Sequence, residues 1–263
     1  MKKTRVLVIA LLFMIASSSC EKKPFGATEE KERIAVSQSS GAPEGREVTA
    51  ASQLAPEELP FKKGEVISYN IKSLGVSGGK ATLTFEGLQD YNGKEVYLIV
   101  FTARAMNFFD EEKIYADKET FNPVAVTRDL NIWGKKEKIT EEYDQEKGMI
   151  KITKNEGAAT VIGRPPPIDN IYCFIYRYRK SGNFKIGDSF AMTLPTKDVR
   201  IKLVKTTKVK AAGQVFDAYY MESDPGKYKV WLDAGPKRIP LRINGAVGIN
   251  DTAMIMMDYK EGE

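Results

Sequence analysis

Between Tyr228 and Ile243 the chain alternates with a period of two. Tyr228, Val230 and Leu232 are separated by polar or amphipathic neighbours, as are Ile239, Leu241 and Ile243, and the segment from Asp233 to Arg238 lies between the runs. A helix would scatter these side chains around its axis, whereas a strand puts each set on one face of a sheet. Gly235 and Pro236 supply backbone geometry that a continuing strand could not adopt, so the stretch reads as a β-hairpin. The same grammar recurs upstream. Ile67, Tyr69 and Ile71 alternate, as do Ala81, Leu83 and Phe85 after a break at Gly75 to Gly79. Val96 to Phe101 is apolar on both faces, as a central strand would be, with Lys113 to Ala116 as a neighbour. Further strand-like runs are Pro123 to Leu130, Lys138 to Tyr143, Met149 to Thr153 and Ala158 to Ile162, with turn signals at Asn92-Gly93 and Lys147-Gly148. After Phe190 come Val199, Ile201 and Leu203, then Val215 to Met221, and finally Ala253 to Tyr259. In that last run Met254 and Met256 point one way, and Ile255, Met257 and Tyr259 the other. Strands at this spacing with glycine-containing turns predict a mostly β fold: a strongly curved antiparallel sheet or open β-barrel of about ten to twelve strands.

One segment breaks the period. Arg164 and the three prolines that follow interrupt the sheet as a stiff connector. Ile171, Phe174, Ile175 and Tyr178 then fall at i, i+3, i+4 and i+7, with Asp169 or Asn170 placed to cap the N-terminus and Gly182 beyond the end. This predicts one short helix from about Asp169 to Arg179, a lid or plug against the concave face. On such a helix Tyr176 and Tyr178 are expected at the core margin, with Arg177 and Arg179 in solvent.

The first twenty residues are not part of the fold. Lys2, Lys3 and Arg5 form a basic region, Val6 to Ala16 an apolar one, and Ser17 to Ser19 a small-residue site before Cys20. The apolar run is about half the roughly 20 residues that a bilayer-spanning helix needs, so it reads as an export signal. The layout resembles the lipobox of bacterial lipoproteins, whose cysteine is lipidated and becomes the mature N-terminus. Ser17 stands where that motif usually has an apolar residue, and ordinary cleavage to a soluble periplasmic protein is the alternative. Glu21 after the cysteine is similar to the pattern that sorts such proteins to the outer membrane. Residues 21–58 are rich in Lys, Glu, Ser, Gly, Pro and Ala, without hydrophobic periodicity. They read as a disordered tether holding a single domain, 59–263, on the order of 30 to 35 Å from the membrane surface.

Several functions are disfavoured by composition. The chain has no histidine and two cysteines, Cys20 and Cys173, so most zinc sites and histidine-dependent nucleophilic catalysis are not expected. Cys173, within an apolar run, reads as a small buried hydrophobe. Without Lys2, Lys3 and Arg5 the 40 basic residues become 37 against 35 acidic ones, a near balance that does not suggest nucleic acid. The glycine-rich stretch ending at Lys80 lacks the spacing of a phosphate-binding loop, since Ala81 follows and a strand comes next. Asp110, Glu111 and Glu112 are expected in a solvated turn and not as a cation site. No metal, cofactor or catalytic residue is expected, and the chain does not read as an enzyme.

Leu59-Pro60-Phe61, Gly64 to Tyr69, Gly78 to Leu83, Ile168 to Tyr172, Ile186 to Asp188, and Val230 to Asp233 with Arg238 to Arg242 occur in an order and spacing that resembles the bacterial domain-of-unknown-function family 3108. The resemblance covers about residues 59 to 260 and implies an exported, mostly β protein without transferable catalytic residues. The Trp231 to Arg242 hairpin is similar, more loosely, to that of lipoprotein-localisation factors, whose half-barrel holds acyl chains. Two functions are expected from this. The first is an envelope lipoprotein that binds a lipid or other apolar ligand on its concave face through Phe174, Ile175, Tyr178, Met254 and Met256. The second is a lipid-tethered interaction protein of an envelope complex, with a solid core.

Overall fold

The computed structural model describes residues 59–73, 76–181, 184–246 and 252–263, all within the second of the chain's two compact units, Leu54–Glu263. The export signal, Cys20 and the expected tether over residues 21–58 lie outside the described residues. Among the described residues no helix is long and apolar enough to cross a membrane.

The chain forms two meanders. The first is β1 (Glu65–Ser73), β2 (Val76–Tyr91), β3 (Lys94–Ala105), β4 (Phe108–Asp117), β5 (Pro123–Ile132), β6 (Lys135–Asp144), β7 (Met149–Lys154) and β8 (Thr160–Gly163). Helix α1 (Ile171–Ser181) follows. The second is β9 (Ser189–Leu194), β10 (Lys197–Ala211), β11 (Gln214–Asp224), β12 (Lys229–Asp233), β13 (Pro240–Asn244) and β14 (Thr252–Lys260). Strand β14 pairs with β1, which joins the meanders into one fourteen-stranded antiparallel sheet with β8 and β9 at its edges, not closed into a barrel. The expected class holds, but the count exceeds ten to twelve, since turns without glycine, such as Met106-Asn107 and Pro195-Thr196, also end strands.

Curvature comes from irregular pairing as well as twist. Register shifts occur at Tyr69 in β1, between Phe85 and Gly87 in β2 and between Leu203 and Lys205 in β10. Each extra residue bends its strand. At the first, Ser68 faces Asp258 while Tyr69 faces Met256, so Met257 is unpaired. The carbonyl of Met256 accepts a hydrogen bond from the Ala212 amide (2.9 Å). The bulge also shifts the alternation: Met254 and Met256 share a buried face, but Tyr259 falls opposite buried Ile67 and turns inward instead of sharing the face of Met257.

The connector from Arg164 to Asn170 touches both edges of the open sheet. The Arg164 amide donates to Gly148 O (2.7 Å) and its Nε to Leu194 O (3.1 Å), and the Asp169 amide donates to Thr193 O (2.7 Å). Asn170 then caps α1, its Oδ1 accepting from the Tyr172 amide (2.8 Å). Arg179 and Lys180 lie in the last turn, where cations suit the helix dipole. Eight of the eleven helical residues are buried, including Tyr172, Phe174, Ile175, Tyr176, Tyr178 and Arg179. A helix enclosed on nearly every side is core, not cover. Tyr172 stacks on Phe101 of β3 (4.8 Å between centroids), Tyr176 meets Phe61 (4.8 Å) and Phe85 (5.5 Å), and Tyr178 sits edge-on to Phe184 (4.6 Å) and Phe190 (4.9 Å). Such ring pairs contribute about 0.5–1.5 kcal/mol each beyond their buried area.

Arg179 is not in solvent. Both it and Glu65 are fully buried, joined by two parallel bonds of 2.7 Å. Its Nη2 also donates to Lys237 O (3.1 Å), its guanidinium lies 4.7 Å over the Phe61 ring, and Tyr259 OH donates to Glu65 (3.2 Å). The pair fixes the C-terminal end of α1 to β1, the β12–β13 turn and β14.

A candidate functional site: the charged cavity beside the helix

Asp110 and Glu112 are not in a turn. They lie within β4, in phase with buried Ile114 and Ala116, and Arg128 lies opposite Glu112 on β5 in phase with buried Val126. Alternation therefore aims all three charges inward. Arg128 donates to Asp110 through Nε (2.7 Å) and Nη2 (2.5 Å), and its Nε lies 3.4 Å from Glu112 Oε1. On β6, Glu141 accepts a short hydrogen bond from Tyr143 OH. The start of α1 adds Asp169, which accepts from Arg177, and the β9–β10 turn adds Leu194 to Thr196. Glu112, Arg128, Glu141, Tyr143, Asp169 and the β9–β10 turn, with Tyr228, line a cavity of about 220 Å³, while Asp110 and Arg177 hold Arg128 and Asp169 from behind.

The electrostatics are uneven. Burial pushes the Glu112 carboxyl up to about 7; Arg128 pulls it down, while Asp110 and Glu141 add to the rise. Burial opposes the Arg128 cation, but the bonds to Asp110 and the charge of Glu112 outweigh it and hold the guanidinium protonated. Burial also raises Asp169 above the usual carboxylate range, against the pull of Arg177. Tyr172 OH is buried without a hydrogen-bond partner, and burial, reinforced by Glu112 and Asp110, keeps it protonated. Glu112 is thus the carboxyl with spare hydrogen-bonding capacity, poised near neutrality. Nucleophilic chemistry has no support here: Cys173 is buried and its thiol is pushed well up by burial. Among the described residues no acidic or cysteine cluster is arranged to hold a metal ion.

The residues expected to hold an apolar ligand lie elsewhere. Phe174 stacks on Tyr178 (5.6 Å) and approaches Phe190, and with Ile175 these side chains belong to the packed core. Met254 and Met256 are buried on β14. None of Phe174, Ile175, Tyr178 and Met254 lines either the charged cavity or a second hollow. Met256 borders the second, a more open hollow of about 450 Å³ beside the β10–β11 turn, with Asn70, Lys72 and Lys210. Cys20 lies outside the described residues. Three consecutive acidic residues read as a solvated turn, but the phase of Ile114 and Ala116 separates inward Asp110 and Glu112 from outward Glu111.

An open antiparallel sheet filled by its own helix, with ionic side chains lining a half-open cavity beside that helix, defines the class of protein. The chain belongs to DUF3108, a family of proteins of unknown function, whose model matches residues 67–258. No curated protein matches it. Similar solved structures include a β-barrel-like protein of domain of unknown function DUF1849 from Brucella abortus, with TM-score 0.46, 11% identity, and coverage of 77% of this chain and 99% of that one. A provisionally assigned lipoprotein from Parabacteroides distasonis has TM-score 0.27 and 10% identity, over 77% of this chain and 98% of its own. A provisionally assigned exported protein with a YmcC-like fold from Bacteroides fragilis has TM-score 0.27 and 11% identity, also over 77% and 98%.

Proposed function

We propose that this chain is an exported, non-catalytic lipoprotein of the cell envelope, anchored through Cys20 in the outer membrane, whose β domain serves as a solid interaction body and not as a carrier of apolar cargo. The observation behind this reading is the helix. Alpha-1 occupies the concave face that an acyl chain would need, with eight of its eleven residues buried. The hollow beside it, about 220 Å³ and half open to solvent, is below the roughly 300–1,000 Å³ of typical ligand pockets and is lined in part by charged groups. A bound acyl chain would have to displace aromatic side chains that already pack on one another. Phe174, Ile175, Tyr178, Met254 and Met256 are then core residues whose role is stability.

Two measurements test the two halves of the proposal. Membrane fractionation should find the wild-type chain with the membrane and Cys20→Ser in the soluble fraction; wild-type protein that is already soluble would end the anchor reading. Native mass spectrometry of detergent-free protein should find no lipid beyond the anchor, and Phe174→Ala should cost about 3–5 kcal/mol, as for a buried Phe. Co-purified lipid together with a small cost for Phe174→Ala would restore the carrier, with α1 as its lid.

A further inference from the structure

At one end of the sheet the β3–β4 and β5–β6 turns carry the two most exposed large apolar side chains among the described residues: Met106 is 84% and Trp133 72% exposed. The Trp133 amide donates to Asn107 O (2.8 Å), which places the turns side by side. Trp133 and Gly134 form the β5–β6 turn with φ of 53° and 84°. A two-residue turn with both φ positive favours Asn-Gly, and a bulky residue in the left-handed region is an outlier. An exposed tryptophan held there is stabilised neither by packing nor by backbone preference, and strain of this kind points to function.

The surface just behind the tip is basic and aromatic. Cross-strand register runs Lys80, Arg104, Phe109, Asn131 and Lys136 in one row on the outer face, alternating with the inward-facing row of Ala81, Ala103, Asp110, Leu130 and Glu137. The Arg104 guanidinium lies 4.5 Å over the Phe109 ring. The acidic residues of the same face, Glu111 and Asp129, sit one row further from the tip, beside Thr102 and Lys138.

We infer that this tip docks on an anionic lipid bilayer. Trp133 and Met106 enter the headgroup level, where the amphipathic indole is favoured. Lys80, Arg104 and Lys136 follow one row behind, at the depth of lipid phosphates. The shape argues for a bilayer over a protein. Two β-turns offer far less than the roughly 800 Å² per partner of a stable protein interface, whereas a fluid surface can receive a few inserted side chains backed by cations. The inference does not rest on acylation of Cys20, which fractionation reads separately.

The chain has two tryptophans, so Trp231→Phe leaves Trp133 as the sole reporter. The full chain carrying that change is mixed with vesicles of phosphatidylcholine and phosphatidylglycerol, with and without brominated acyl chains. Trp133 emission should shift to the blue, be quenched by the brominated lipid and become protected from iodide. Lys80→Gln and Arg104→Gln should each lower the docking equilibrium, read as Trp133 quenching, by roughly fivefold, and vesicles of phosphatidylcholine alone should dock the tip poorly. Trp133 that stays open to iodide on vesicle-bound protein would overturn the inference. So would a blue shift that depends on protein concentration without lipid, which would assign the tip to a second copy of the chain. Trp133→Asn should melt no lower than wild type, since Asn suits the turn; a clear loss of stability would show that the tryptophan serves the fold instead.

Discussion

Glu112 shows what one inward carboxyl does to the molecule. Its pKa, 4.5 in the unfolded chain, is raised to about 7 by burial in spite of Arg128. Below 4.5 both states hold the proton and nothing is lost. As pH rises from there to about 7 the unfolded chain releases a proton that the folded chain keeps, so Glu112 makes stability fall through this window and level off above it. A shift of this size corresponds to about 3 kcal/mol. Gln mimics the neutral acid. Glu112→Gln should therefore match wild type near pH 4 and exceed it by about 3 kcal/mol near pH 8 in urea denaturation; an equal difference at both pH values would show that Glu112 acts through packing and not through its charge. The position of this residue was legible from alternation, because it is in phase with Ile114 and Ala116. Its cavity was not, since the period says that a residue faces inward without saying which strand, connector and turn bring Glu141, Asp169 and Tyr228 to meet it.

At the scale of one element, α1 was legible as a helix and as a lid or plug, but not as one buried on nearly every side. Ile171, Phe174, Ile175 and Tyr178 marked one apolar stripe, and Arg179 lies on its continuation, four residues beyond Ile175 and eight beyond Ile171. Its burial could have been read from that phase, as could Glu65, in phase with Ile67 and Tyr69. Charge counted as a solvent signal hid both. The tyrosines were harder to place, since an aromatic beside the stripe is as compatible with a margin as with a second buried face. The pair they surround makes a sharp energetic prediction. Removing one partner strands the other in a fully buried site, which typically costs 3–5 kcal/mol, whereas replacing both with apolar residues of similar size is often close to neutral. Arg179→Met and Glu65→Leu should each be strongly destabilising, and the double variant should be more stable than either single one. Additive losses in a double-mutant cycle would instead mean that the bonds to Lys237 O and Tyr259 matter more than the ion pair.

For the whole molecule, the joint between the meanders decides where the folded unit begins. Strand β1 is the hinge of the sheet, pairing with β2 on one side and β14 on the other. Its lead-in is tied down before Glu65 is reached. The Gly64 amide donates to Phe85 O (2.8 Å), and the amide of Glu263, past the end of β14, donates to Lys63 O (2.9 Å). Phe61 is buried against Phe85, Phe121 and Tyr176, with ring centroids 4.8, 5.9 and 4.8 Å away. Phe61 thus closes the end of the core where Arg179 lies, and its guanidinium contact goes with it. The sequence puts this boundary at Leu59, because Phe61 follows a long stretch without hydrophobic periodicity. Two truncations should therefore behave differently. A chain beginning near Glu57 keeps Phe61 and should unfold cooperatively at the wild-type midpoint. A chain beginning at Lys62 differs from it by only five residues, yet leaves a cavity between α1 and β2 and should be less stable by about 3–5 kcal/mol, the usual range for a buried Phe. If the longer chain is also destabilised, residues 21–58 pack on the sheet and are not a tether; if the shorter one is unaffected, the core can close without Phe61 and the boundary lies at Glu65.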